Sequence, residues 1–123
     1  MAATHAQRRA IGDYGERLAA RYLTEQGLTV VDRNWRCSQG EIDIVAVEGD
    51  VVAICEVKTR GDVRFGTPLE AITVAKAARL YRLGARWLAA HPALRGRRLR
   101  VDAVAIVRRR RGGARIEHVR GVV

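Results

Sequence analysis

Asp43, Glu56 and Lys58 lie on two short apolar segments, and their types and spacing suit chemistry on a phosphodiester. The stretch 40–60, GEIDIVAVEGDVVAICEVKTR, reads as two strands over 41–48 and 51–58, both rich in Val and Ile. Glu48-Gly49-Asp50 supplies turn chemistry between them. Side chains alternate along a strand, so Asp43, Val45 and Val47 share one face of the first strand. Val52, Ile54, Glu56 and Lys58 share one face of the second. With Gly49 and Asp50 as a two-residue loop, Glu48 pairs with Val51, Asp43 falls opposite Glu56, and Glu41 falls opposite Lys58. Opposed residues have Cβ atoms roughly 4.5–5.5 Å apart, and like charges so placed are destabilising. A cation between the carboxylates removes that cost, and hard divalent ions such as Mg²⁺ take oxygen ligands of this kind. Lys58 points into the same space. The competing reading is an edge hairpin with solvated charges, or an Asp–Lys surface pair. A three-residue loop would slip the register by one and move Asp43 off the face of Glu56.

The elements around this hairpin have to hold it in place. Residues 1–11 read as a flexible basic tail, and 12–123 as one domain. Asp13-Tyr14-Gly15-Glu16 opens a helix running to about Gln26, where Gly27 stops it. Tyr14, Leu18, Ala19, Tyr22 and Leu23 follow helical spacing and face the sheet. Glu16 borders that buried face, which brings its carboxylate within reach of the site; the rival reading is a first-turn acid favoured only by the helix dipole. Residues 28–34 read as the first strand. Arg33 to Arg36 form a polar connection, in which Trp35 and Arg36 could meet a base and a phosphate, or Trp35 could cover a sheet edge.

Beyond the hairpin, residues 61–68 carry two glycines and a proline and read as a loop, with Arg60 and Arg64 available to phosphates. Leu69 to Ile72 reads as one short turn. Thr73 caps a helix reaching about Ala90, with Val74, Ala77, Ala78, Tyr81, Ala85 and Leu88 as its apolar stripe. Arg79, Arg82 and Arg86 lie outside that stripe, and Lys76 sits near the start. Residues 97–107 form a core strand interrupted by Asp102, for which a structural partner is expected. Residues 114–120 form a closing edge strand. The order helix, three strands, helix, strands indicates an α/β fold with a mixed sheet and flanking helices. Its first three strands form an antiparallel meander, and the second helix provides the crossover to a parallel fourth strand.

Gly40-Glu41-Ile42-Asp43 followed by Glu56-Val57-Lys58-Thr59-Arg60 resembles the YraN-type family of small bacterial PD-(D/E)xK nuclease-like proteins. These are similar in turn to archaeal Holliday junction resolvases. The resemblance extends from the first helix near Gly12 to the strand around Asp102, with Ile42 standing where the wider superfamily has Pro. It implies a restriction-endonuclease-like core and a metal-dependent endonuclease acting on DNA, branched or junction DNA included, in repair or recombination. It further implies that Asp43, Glu56, the Val57 carbonyl and Glu16 hold Mg²⁺ or Mn²⁺. Lys58 then positions the attacking water or offsets charge, and Lys76 is a further phosphate contact.

Composition agrees with a polyanionic partner. The 123 residues carry a formal charge of +10, which points to nucleic acid before membrane and does not choose DNA over RNA. Among 23 basic residues only Lys58 and Lys76 are lysine, and an ammonium beside a metal-bound phosphate is not interchangeable with a guanidinium. No apolar run approaches the ~20 residues of a membrane span, and the basic N-terminus lacks an apolar signal core. Cys37 and Cys55 lack metal spacing and read as reduced thiols in a cytoplasmic protein, Cys55 as a small buried hydrophobe. A non-catalytic nucleic-acid-binding module needs only the charge. Cutting branched DNA calls for a two-fold homodimer, and no stretch of the sequence marks a dimer face.

Overall fold

Thr4 begins the first element. Its hydroxyl accepts the Gln7 N–H at 3.1 Å, while the Gln7 side chain accepts the Thr4 N–H at 2.7 Å. This reciprocal capping box starts helix α1, His5–Glu25, well before the Asp13 start expected above. The structure, a computed structural model, describes residues 4–60, 72–109 and 111–122. Residues 5–11 are therefore helical rather than a tail. The Thr-x-x-Gln signature was present in the sequence, but its weakly apolar, basic surroundings hid it.

Five strands follow in one sheet: β1 Thr29–Cys37, β2 Gly40–Glu48, β3 Val51–Arg60, β4 Arg98–Val107 and β5 Arg115–Val119. Their spatial order is their chain order. β1, β2 and β3 form an antiparallel meander; β4 pairs parallel with β3, and β5 returns antiparallel beside β4. Helix α2, Val74–Ala89, capped by the Thr73 hydroxyl, lies in the β3–β4 crossover. A short 3₁₀ helix, Pro92–Leu94, leads into β4. The mixed α/β sheet is the expected one. β1 is longer than expected and takes in Trp35 and Arg36, which pair with Ile42 and Glu41 instead of forming a connection. No helix among the described residues is long and apolar enough to cross a membrane.

The two helices cover opposite faces. Ala19 and Leu23 of α1 pack with Ile44, Ala46, Ala53, Cys55, Val104 and Ile106. Leu80, Leu83 and Trp87 of α2 pack with Ile42, Val45, Val52, Ile54 and Val101. The central strands are thus covered on both sides, which is why β3 and β4 read as near-continuous apolar runs.

The stripe expected on α2 needs correction. Val74 is 86% exposed, Tyr81 is 46% exposed, and Ala85 faces solvent, while Ala77, Leu80, Leu83, Gly84 and Trp87 are buried. Apolar residues occur almost all round this helix, so periodicity alone admits two phases. Burying a large side chain is worth about 1.5–3 kcal/mol, and the phase adopted buries two leucines and a tryptophan. It also satisfies the indole, whose Nε1–H donates to Asp32 Oδ2 at 2.8 Å.

Candidate metal and nucleic-acid site

The Gly49-Asp50 loop pairs Glu48 with Val51, and the ladder continues as expected to Ile44 opposite Cys55. There the regular β2–β3 pairing stops, one residue short of Asp43 and Glu56. β3 itself stays paired with β4 as far as Arg60 opposite Val107. On the other side of β2, the β1 partners are Arg33 with Ile44 and Trp35 with Ile42, and Asn34 between them has φ +54°. Asn is one of the few residues that adopts this left-handed conformation cheaply. Across the same step β2 turns over, because Ile44 packs on the α1 side while Ile42 packs on the α2 side.

Asp43 sits at this turning point and leaves the face of Val45 and Val47 that alternation assigned to it. Its Oδ2 accepts the Val57 N–H at 2.8 Å. It lines a cleft of about 270 Å³ under α1, together with Arg8, Ile11, Gly12, Glu16, Val57 and Thr59. Burial, then the neighbouring Glu56, and to a smaller degree Glu16 and Glu41 raise its carboxyl to about 7, against the Val57 hydrogen bond. Burial likewise raises Glu16, opposed by an Asn34 hydrogen bond and by Arg33. Glu16 Oε2 is buried with no hydrogen-bond partner, and Arg33 Nη2 stands 3.9 Å away. The helix approaches the sheet closely here: a Cβ on Gly15 would collide with the Thr59 hydroxyl.

Glu56 faces the α2 side. Its Oε1 lies 2.9 Å from Lys76 Nζ and 3.3 Å from Lys58 Nζ. The adjoining Lys76 and partial burial lower the pKa of Lys58. The two lysines of the chain therefore share one carboxylate, a pairing across the crossover that the sequence did not announce. Glu41 does not meet Lys58. It pairs with Arg36 across β1–β2 at 3.1 Å, and both side chains are exposed. Arg60 ends β3 at the surface, its carbonyl accepting the Arg108 N–H at 2.8 Å. Arg64 lies outside the described residues.

The structure thus gathers Asp43, Val57 and Glu16 in one cleft, with Glu56 close enough to act on Asp43 electrostatically but held by Lys58 and Lys76. Among the described residues no three His, Cys, Asp or Glu side chains converge closely enough to hold a metal ion. The donors are nonetheless of the right kind for a hard cation: a buried carboxylate oxygen of Glu16 without a hydrogen-bond partner, and the Asp43 carboxyl, made hard to ionise by burial first and by its acidic neighbours second. Asn34, Thr59 and Arg8 were not anticipated. A glycine inside a helical pattern, Gly15, was the available hint of close packing, and an Asn before an aromatic was a weaker hint of the left-handed step.

A five-stranded mixed sheet flanked by two helices, with acids where its second and third strands part, defines an α/β domain consistent with the restriction-endonuclease-like fold. The profile of uncharacterised protein family UPF0102 matches residues 15–106, and the chain belongs to that family. It is similar to UPF0102 proteins of Kineococcus radiotolerans, 58% identical over 92% of this chain and 93% of the relative, and of a Nocardioides species, 52% identical over 98% and 96%. A UPF0102 protein of Streptomyces coelicolor is 51% identical over 94% of this chain and 89% of its own length.

Proposed function

We propose that this protein is a metal-dependent nuclease that hydrolyses phosphodiester bonds in DNA. The observation that carries the reading is the acidic cleft itself, where Glu16 Oε2 is buried with no hydrogen-bond partner and only a 3.9 Å ion pair to Arg33, beside Asp43, whose ionisation burial and Glu56 oppose. Such a cluster is costly unless a cation completes it. Asp43 and Glu56, with the Val57 carbonyl and Glu16, are the residues that would hold Mg²⁺ or Mn²⁺. The ion supplies Lewis-acid polarisation of the phosphate and acidifies a bound water. Glu56 joins that set by leaving Lys58 and Lys76, which frees two ammonium groups for the substrate. Lys58 then positions the attacking water or offsets charge on the phosphate. Lys76, Arg36, Arg60 and Arg64 contact flanking phosphates. Junction DNA would require a homodimer, and two free thiols, Cys37 and Cys55, suit the reducing cytoplasm.

A second reading, a non-catalytic nucleic-acid-binding module, is favoured by the double lysine contact to Glu56, which leaves that carboxylate neutralised without metal. Cleavage of labelled linear, flapped and four-way-junction DNA in Mg²⁺, Mn²⁺ and EDTA separates the two. The nuclease reading expects metal-dependent cutting that folded Asp43→Asn and Lys58→Ala both lose by at least a hundredfold. Wild type that cuts nothing, yet binds DNA in EDTA as tightly as Asp43→Asn does, overturns it in favour of the binding module.

A further inference from the structure

A second cavity, of about 440 Å³, adjoins the acidic cleft. Ile11 lines both, so the two are neighbours along the first half of α1. One wall is Tyr14 of α1, a residue 38% exposed although it is a large hydrophobe. The opposite wall is formed by Arg108, Arg109, Gly112 and Gly113, from between β4 and β5. Arg108 is fixed beside Arg60 by the hydrogen bond from its N–H to the Arg60 carbonyl. The close approach of Gly15 to Thr59 holds Tyr14 at a set height above the sheet. A Cβ on either Gly112 or Gly113 would meet nothing within 4 Å, so the backbone there is open to a ligand.

We infer that this cavity is a subsite for one unpaired nucleotide strand leaving the cleft, with a base stacked on Tyr14 and its phosphate held by Arg108 and Arg109. This rests on the nuclease reading for its substrate and extends it to DNA with a single-stranded tail. An exposed aromatic beside two guanidinium groups is the pairing by which proteins hold single strands without regard to sequence. The volume is that of a small-ligand site, commonly about 300–1,000 Å³. The surplus of arginine around it favours an anionic occupant over an apolar peptide. A blunt duplex end offers only the outer face of its terminal base pair, which is much wider than a single base, so a cavity of about 440 Å³ favours an unpaired extension.

The test is binding in EDTA, by fluorescence anisotropy, of one duplex made blunt or carrying a short 5′ or 3′ thymidine tail. Wild type binds one tailed form about tenfold more tightly than the blunt form. Tyr14→Ala loses that preference while keeping blunt-duplex affinity within twofold, and Tyr14→Phe retains it. The double substitution Arg108→Ala/Arg109→Ala reduces the preference and lowers the salt dependence of tailed binding by about two counterions. Wild type that does not distinguish tailed from blunt DNA overturns the subsite, as does Tyr14→Ala with the preference intact. Because no metal is present, the outcome is independent of cutting. A tail preference lost in Tyr14→Ala, with no cleavage of any substrate, removes the nuclease reading and leaves the subsite standing; cleavage without tail preference does the reverse.

Discussion

Asp43 and Asp102 are both carboxylates on inner strands, and their surroundings drive them in opposite directions. Asp102 is fully buried, which alone would raise its pKa, but hydrogen bonds from His118, Arg100 and the Gly121 N–H outweigh burial and leave it below its ordinary value. Asp43 is also buried but has only one backbone donor against that burial and its acidic neighbours, and its carboxyl rises to about 7. The sign of the linkage follows. For Asp43 the unfolded chain gives up the proton near its usual 3.8, so ionisation costs folded-state stability progressively from there to about pH 7. In EDTA, Asp43→Asn should therefore equal wild type near pH 4 and exceed it by about 1–3 kcal/mol at pH 8, an allowance for screening included. Mg²⁺ should raise the wild-type melting temperature at pH 8 and leave that of Asp43→Asn unmoved. Thermal melts at the two pH values, with and without metal, check both statements. A variant less stable than wild type at pH 8 in EDTA would show that Asp43 is a stabilising side chain and the cleft no cation site.

At the scale of elements, the site depends on how closely α1 approaches β3. Gly15 is buried against Thr59, and its neighbours along the helix are Tyr14 and Glu16, which serve adjoining cavities. Gly15→Ala must displace either the Thr59 side chain or the helix. The expected cost is about 1–3 kcal/mol, as for other overpacked contacts, even though Ala is the better helix former. Removing the opposing hydroxyl with Thr59→Ala should return part of that loss in the double variant. Urea unfolding of the two single variants and the double variant measures the coupling; strictly additive losses would show that the two residues do not meet. Helix α2 contributes differently. It brings Lys76 to Glu56 through its first turn and anchors its far end by Trp87 against Asp32.

For the whole molecule, a buried ionic network closes the sheet. Asp102 of β4 accepts from Arg100 at 2.7 and 3.0 Å, meets His118 of β5 at 2.9 Å, and accepts the Gly121 N–H at 3.1 Å. Arg100 and Arg120 both reach Glu48 at the end of β2. This ties the last strand to the hairpin that carries the acids, at the opposite end of the sheet from the cleft. Removing one member of a buried ionic set typically costs about 3–5 kcal/mol because its partners stay buried and unpaired. Asp102→Ala should lose that amount at pH 7. The loss should shrink as pH falls below 3.8, where wild type also protonates this group on unfolding and then in the folded state. Denaturant midpoints at pH 7 and pH 3 test it, and equal losses at both would exclude an ionic origin.

Short-range pattern determined a good part of this protein. The alternation on either side of Gly49-Asp50 specified the hairpin and its register down to Ile44 and Cys55, and element order specified a parallel β4 behind a helical crossover. Side-chain period, turn type and the length of a parallel connection are local constraints, and a sequence carries them directly. The acids and lysines of the site were legible for the same reason, since they interrupt apolar runs. Tertiary packing decided what local pattern left degenerate. It chose the face of α2, because apolar residues nearly encircle that helix and only the volumes opposite could select Leu80, Leu83 and Trp87. It turned β2 over at Asn34 and Asp43, gave Glu41 to Arg36 instead of Lys58, and set Lys58 and Lys76 on one carboxylate. Each of these is a contact between residues on different elements, fixed by the burial and charge of its surroundings once the sheet and helices have met.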